Sequence, residues 1–210
     1  MKCKSLQFSL FLTALLVKRI DMAFVNSILN WWIKKRIHQI ELFSKYPIEV
    51  QNDVFKKLIN AARDTEWGKQ YGYKTINSLS KFQSRVPISS YEDLKPFIDR
   101  LRKGEQNVFW PEEITWFAKS SGTTAGRSKF IPVSPSALEE CHYKGGKDML
   151  ALYFNLYPDS ELFEGKSLVM GGSRNILEVS HTTYIEGDLS AILMHNLPFW
   201  AQFKRTPSLT

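Results

Sequence analysis

An α/β fold with an open sheet is predicted for this 210-residue chain by three observations. Apolar residues recur at helical spacing in several separate segments. Short β-branched and aromatic runs stand between those segments, and no internal repeat or low-complexity linker interrupts the alternation. A composition with 43% hydrophobic and 13% aromatic residues is that of a folded chain rather than a disordered one. At this length about 70% of the unfolded surface is buried on folding, enough for one substantial core.

The elements follow in order. A helix is expected from about Ala23 to Ser44, with Phe24, Ile28, Trp31, Trp32, Ile33, Ile37 and Ile40 on its apolar side. Pro47 suits the first turn of a second helix carrying Val50, Val54, Phe55, Leu58, Ile59 and Ala62, so the chain opens with a helical lead-in. Ser90 and Asp93 form a capping-box pattern ahead of Leu94, Phe97, Ile98 and Leu101, a helix ending near Gly104. Ile114 to Ala118 reads as a buried strand, and a second apolar run begins at Phe130-Ile131-Pro132-Val133. Ser134 and Pro135 cap a helix running through Leu138, Met149, Leu150, Leu152 and Tyr153, its stripe expected on the sheet, with Gly145-Gly146 as a point of interruption. Lys166 to Met170 reads as a buried strand, and Leu189 to Met194 as a last apolar element of open type.

Between the two central apolar runs lies Lys119-Ser120-Ser121-Gly122-Thr123-Thr124-Ala125-Gly126-Arg127-Ser128-Lys129. Gly122 and Gly126 lack a Cβ, so the backbone there can approach a ligand and present N–H groups to phosphate oxygens. The hydroxyls of Ser120, Ser121, Thr123 and Thr124 add donors, and Lys129 supplies a positive charge for β and γ phosphates. The spacing differs from a Walker A loop, because three residues separate the glycines and the lysine comes three positions after the second. No Walker B partner accompanies it, which weakens a P-loop kinase or NTPase reading. A Gly/Ser/Thr-rich hairpin turn that binds nothing is the competing reading of the composition.

The string Ser-Ser-Gly-Thr-Thr-x-Gly-x-x-Lys followed by Phe-Ile-Pro resembles the nucleotide motif of the auxin-responsive acyl acid-amido synthetases, the Gretchen Hagen family. That family is related to the adenylating acyl-CoA synthetases and luciferases. Trp67 to Gly72, Val86 to Leu94, Gly187 to Ile192 and Leu197 to Trp200 agree in order and spacing, so the resemblance runs from about Met22 onward. It implies the N-terminal portion of an adenylating-enzyme-like fold, a helical lead-in followed by an incomplete open sheet. It also implies ATP and Mg²⁺ as cofactors, and Ser120, Ser121, Gly122, Thr123, Thr124, Gly126 and Lys129 as the phosphate loop. The activity implied is ATP-dependent amide formation. A carboxylic acid is activated as an acyl-adenylate with release of pyrophosphate, and an amine, usually of an amino acid, displaces AMP. Fixed N–H donors, a lysine and the metal stabilise charge on the phosphates in the first step. No Ser-His-Asp or Cys-His grouping is visible, so no catalytic residue is assigned.

Members of that family are more than twice this length, and their later nucleotide motifs and C-terminal domain have no counterpart here. Residues 22–210 are therefore expected to be the truncated N-terminal part of the large adenylating domain. ATP–pyrophosphate exchange by the chain alone is expected to be undetectable. The alternative is a noncatalytic remnant or binding protein that keeps only the phosphate loop. Strands left without partners are expected to form open edges, with Ile192-Leu193-Met194 and Leu197-Pro198-Phe199-Trp200 as exposed apolar surface.

Residues 1–21 combine Lys2 and Lys4 with an apolar run from Leu6 to Val17, the first two parts of a secretory signal, but no small-residue cleavage site follows. The run is shorter than the roughly 20 residues of a spanning helix. The favoured reading is an upstream artefact with translation from Met22; the runner-up is a true signal or anchor. Of the formal charge of +7, three units fall before Met22. Lys34-Lys35-Arg36 reads as a solvated helix face in preference to a membrane or nucleic-acid patch, since no second basic cluster or stacking platform accompanies it. Cys3 and Cys141 frame neither a disulfide scaffold nor a zinc site, consistent with a cytoplasmic location. His38, His142, His181 and His195 lack metal-ligand spacing. Val169 to Ser173 and His181-Thr182-Thr183 are candidates to face substrate, against a strand end followed by a turn. The expected partners are a small carboxylic acid and an amino acid, without nucleic acid or stable membrane association.

Overall fold

The structure is a computed structural model, which describes residues 31–120, 128–160, 162, 166–179, 182–197, 202 and 205–207. The chain divides into two compact units, Met1–Tyr46 with Lys147–Ser160, and Pro47–Gly146 with Glu161–Thr210. In the first unit, helix α1 spans residues 31–45 of the described chain. Ile33 is buried, and Arg36 donates to Asp148 at 2.6 Å, tying α1 to the segment that follows Gly146. Lys34 and Lys35 are exposed, so the solvated-face reading holds for them and not for Arg36.

In the second unit, α2 (Pro47–Ala62) begins on Pro47 with Glu49 in its first turn, where a carboxylate meets the positive end of the helix dipole. Its buried residues are Ile59 and Ala62, packed with Tyr73 and Ile76 and flanked by the half-buried Phe55, while Val54 and Leu58 are exposed. Two short helices that the sequence did not announce follow: α3 (Glu66–Gln70) and α4 (Leu79–Arg85), joined through a 3₁₀ turn at Tyr73–Thr75. Thr65 starts α3: its hydroxyl donates to the Ala62 carbonyl at 2.7 Å and accepts the Gly68 N–H at 3.0 Å. Gly68 has to be glycine, because a Cβ there falls 2.0 Å from the Ala62 oxygen.

Helix α5 (Tyr91–Arg102) opens on the expected capping box, with Ser90 and Asp93 exchanging side-chain and backbone bonds, and it closes before Gly104 at φ 101°. Strands β1 (Trp116–Lys119) and β2 (Phe130–Val133) pair antiparallel, Lys119 opposite Phe130 and Trp116 opposite Val133. After β2, Ser134 accepts the Ala137 N–H and caps a continuous helical run made of α6 (Pro135–Ala137), a π-helical stretch at Leu138–Tyr143 and α7 (Lys144–Leu156). Gly145 and Gly146 do not interrupt it. Leu138 packs with Ala118, Val133 and Ile192 as expected, but Met149, Leu152 and Tyr153 are exposed. The buried positions of α7 are Ala151 and Phe154 instead, neither of which belongs to the expected stripe.

Lys166 to Met170 is not a buried strand. Only β3 (Ser167–Leu168) is extended, pairing parallel with β6 (Arg205–Thr206), and Leu168 and Met170 are exposed. An apolar run acquires burial only where another layer covers it. Strands β4 (Arg174–Val179) and β5 (Thr182–Gly187) form a second antiparallel hairpin, and β5 pairs parallel with β1, giving the sheet order β2-β1-β5-β4. The apolar element after it is a helix, α8 (Leu189–His195), with Asp188 at its cap; Ile192 is fully buried rather than exposed. Phe117, Leu101 and Val108 centre the sheet's core with Ile114 and Tyr184. The α/β architecture is therefore as the sequence predicts.

Candidate functional site

Parallel pairing of β1 with β5 decides what meets at one end of the sheet. Ala118 lies beside Gly187, so the carboxyl ends of both strands adjoin, Ser120 following one and Asp188 the other. In open α/β sheets this is the end at which ligands bind. The antiparallel neighbours bring Lys129 and Phe130 of the incoming β2 and Arg174 of β4 to the same end.

Of the seven predicted phosphate-loop residues, Ser120 and Lys129 are described; Ser121, Gly122, Thr123, Thr124 and Gly126 lie outside the described residues. Ser120 and Lys129 close the stem of the hairpin. The Ser120 N–H donates to the Lys129 carbonyl at 2.9 Å, and the Lys129 N–H donates to the Ser120 hydroxyl at 3.1 Å. The Lys129 side chain is exposed, with its ammonium 5.3 Å from the centre of the Tyr91 ring. Helix α5 flanks the stem on its outer side: the Tyr91 hydroxyl accepts the Phe130 N–H at 2.9 Å, and the Arg102 guanidinium lies 3.8 Å over the Phe130 ring. Arg102 is held in turn by the buried Glu186 carboxylate of β5 at 2.5 Å.

Further hydrogen bonds brace the strands. The Gln106 side chain works as a short strand: its carbonyl accepts the Ile114 N–H at 2.8 Å, and its amide donates to the Ile114 carbonyl at 3.1 Å and to the Tyr184 hydroxyl at 3.2 Å. Beyond β2, one Glu112 oxygen accepts from the Ser136 N–H at 3.0 Å, the Ser136 hydroxyl at 2.6 Å and the Trp110 indole at 3.0 Å. Burial alone raises the Glu112 carboxyl, but these donors together outweigh it and hold the group below its ordinary range.

Gly171–Ser173 leads into β4 against the start of α8. The Ser173 N–H donates to Asp188 at 3.0 Å and the Gly172 N–H to the Ser190 hydroxyl at 3.1 Å, while a Cβ on Gly172 falls 1.9 Å from the Asp188 carboxylate. It is a turn fastened to the end of the sheet that carries the stem. Thr182 and Thr183 sit at the opposite end, because β5 runs parallel to β1 and they begin it. They pair with β4, and the Thr183 hydroxyl donates to Glu178 at 2.8 Å; His181 lies outside the described residues. His195 packs 5.1 Å from the Trp116 ring beside Arg174, and burial followed by that cation holds its imidazole below the ordinary value. Among the described residues, no cluster of three or more His, Cys, Asp or Glu is arranged to hold a metal, and no helix is long and apolar enough to cross a membrane. An apolar groove of about 640 Å³ runs between the helices and β2, lined by Trp67, Phe82, Leu94, Phe109 and Ile131 and reaching Tyr91.

Tyr91, Arg102 and Glu186 were not singled out from the sequence. Tyr91 had a signal, its place directly after the capping Ser90, whereas the meeting of Arg102 with Glu186 comes from tertiary pairing alone.

The fold has counterparts of known structure. The chain matches the acyl acid amido synthetase GH3.15 with a TM-score of 0.63 at 21% identity, covering 76% of this chain and 28% of that one. The same enzyme in complex with 2,4-DB matches with a TM-score of 0.62 at 22% identity, over 73% of this chain and 26% of that one. The fold is thus that of the acyl acid amido synthetases, an adenylating-enzyme-like fold. Residues 36–210 match the GH3 family N-terminal domain, and the chain belongs to that family. Among curated relatives it is 34% identical over 99 residues to an indole-3-acetic acid-amido synthetase, GH3.3 of Arabidopsis thaliana, covering 47% of this chain and 17% of that protein. It is 30% identical over 107 residues to a jasmonoyl-L-amino acid synthetase, GH3.5 of Oryza sativa subsp. japonica, covering 50% and 18%. The aligned part thus spans less than a fifth of either relative.

Proposed function

We propose that this chain is the N-terminal part of an ATP-dependent acyl acid-amido synthetase, residues 22–210 belonging to its large adenylating domain and residues 1–21 standing outside it. In this reading the hairpin between β1 and β2 receives the phosphates of ATP with Mg²⁺. The acid to be activated is a small carboxylate, and the acceptor is an amino acid, in the cytoplasm. The observation that carries the reading is the Ser120–Lys129 stem, set at the carboxyl end of β1 beside that of β5 and bearing the Ser-Ser-Gly-Thr-Thr-x-Gly-x-x-Lys string. The names of the curated relatives, an indole-3-acetic acid-amido synthetase and a jasmonoyl-L-amino acid synthetase, support the reaction class.

The donor set suits an anion carrying a metal. Hydroxyls and an exposed ammonium offer hydrogen-bond donors to the phosphate oxygens that would carry the metal. Bound Mg-ATP supplies the electrophilic phosphorus. The chain's own contribution is to fix the stem, hold Lys129 at its exit and present the hydroxyls around it.

Titration of the chain with Mg-ATP by calorimetry tests the reading. Saturable binding is expected, and Lys129→Ala is expected to weaken it about tenfold, the effect of losing one charge-assisted contact. Unchanged affinity in Lys129→Ala removes the lysine from the site.

A further inference from the structure

We propose that Tyr91 is the positioning residue for Lys129, its ring holding the ammonium and its hydroxyl fixing the strand that follows; the assignment deepens the nucleotide reading and rests on it. Strand β2 is the outer strand of the sheet, so an N–H that points away from β1 has no ladder partner. Phe130 has such an N–H, and the Tyr91 hydroxyl accepts it at 2.9 Å. Lys129 is meanwhile bonded through both its backbone groups to Ser120. The two residues at the loop's exit are therefore held from both sides, by β1 on one and by α5 on the other.

Tyr91 is itself fixed. It is the first residue of α5, directly after the Ser90 cap, and the capping box with Asp93 locks the turn from which it projects. Arg102, at the far end of the same helix, covers the Phe130 ring and is pinned to Glu186. One helix thus grips the exit of the loop at two points. With the strand so placed, the Tyr91 ring lies 5.3 Å from the Lys129 ammonium, within the range at which a cation is drawn to a π face. A lysine on a four-carbon stem loses rotamer freedom when it engages a phosphate. An aromatic face that already restricts the stem lowers that loss and leaves the ammonium's outward donors free for the ligand.

The test uses the chain itself with Mg-trinitrophenyl-ATP as fluorescent probe, alongside amide hydrogen exchange at Phe130. Tyr91→Leu is expected to weaken probe binding about threefold, the scale of an exposed cation–π contact, and Tyr91→Phe, which keeps the ring, to recover most of it. In a Lys129→Ala background, Tyr91→Leu is expected to add nothing, a result that a purely structural role would not produce. Exchange of the Phe130 amide is expected to quicken about fivefold in Tyr91→Phe. An equal loss in Tyr91→Leu with or without Lys129 overturns the assignment, as does binding in Tyr91→Phe as weak as in Tyr91→Leu. Unaltered Phe130 exchange in Tyr91→Phe overturns the hydrogen-bond half of it. Absence of probe binding by the unsubstituted chain removes the nucleotide reading and the phosphate role of Tyr91 with it, while Phe130 exchange still reports whether the tyrosine fastens the strand.

Discussion

The two edges of the four-stranded sheet are finished in opposite ways. At the β2 edge, α5 lays Tyr91 and Arg102 against the strand, and Phe130 is engaged through both its N–H and its ring. At the β4 edge, six registered pairs with β5 form, yet Arg174 to Glu178 are all exposed. Hydrogen-bonded pairing is therefore enough to make a strand here, but it does not make a core. The difference teaches where precision is held: the loop stem is built on the covered edge, next to the fully buried Phe117, and the uncovered edge carries side chains that stay exposed from Arg174 to Glu178.

Phe117→Ala tests the covered half most severely. Truncating a fully buried ring beneath the loop-bearing strand is expected to cost about 3–5 kcal/mol in a denaturant titration. A cost below about 1 kcal/mol would show that the β1 core is not the centre of stability.

Glu112 tests a polar fastening on the same side. Glu112→Gln is expected to cost about 1 kcal/mol at neutral pH, because the carboxylate's three donors then face a neutral acceptor. Its folded pKa is depressed below the ordinary 4.5, so the ionised group's contribution is complete above that value and is lost as pH falls through the folded one. The stability gap between the two proteins should therefore close on acidification. A gap that is constant with pH would mean that the charge is not what holds the Ser136 turn.

On the uncovered edge, Ile176→Ser is expected to change stability by less than about 0.5 kcal/mol, since the side chain is 59% exposed. A loss comparable with that of Phe117→Ala would erase the contrast between the edges and show that β4 is covered in solution.

What the sequence disclosed depended on the range of the interaction. The capping box of Ser90 and Asp93, the proline start of α2 and the Ser134 cap are local, and each element begins where those residues place it. The hairpin around the Ser/Thr/Gly loop was legible for the same reason, since β1 and β2 are close in sequence. Leu168 and Met170 misled because apolarity does not say whether a covering layer exists. Ile192 misled in the other direction, its helix turning it into contact with Ala118 and Val133. The threonines at the start of β5 were candidates to face substrate, against a strand end followed by a turn; the parallel pairing of β1 with β5 places them at the end of the sheet away from the loop stem, and that pairing leaves no mark in either strand. The bond from Arg102 to Glu186 is hidden likewise, because 84 residues separate the partners.

That parallel pairing also bears on how the chain assembles. The sheet consists of two hairpins, β1 with β2 and β4 with β5, each closed over a short stretch of chain. They are joined through only three registered positions, Trp116 with Ile185, Phe117 with Glu186 and Ala118 with Gly187. Closing a short loop costs less entropy than closing a long one, so the hairpins are the inexpensive steps and their side-by-side docking is the slow one. The end of the sheet that carries the loop stem and the Asp188 turn is completed only where the two hairpins meet.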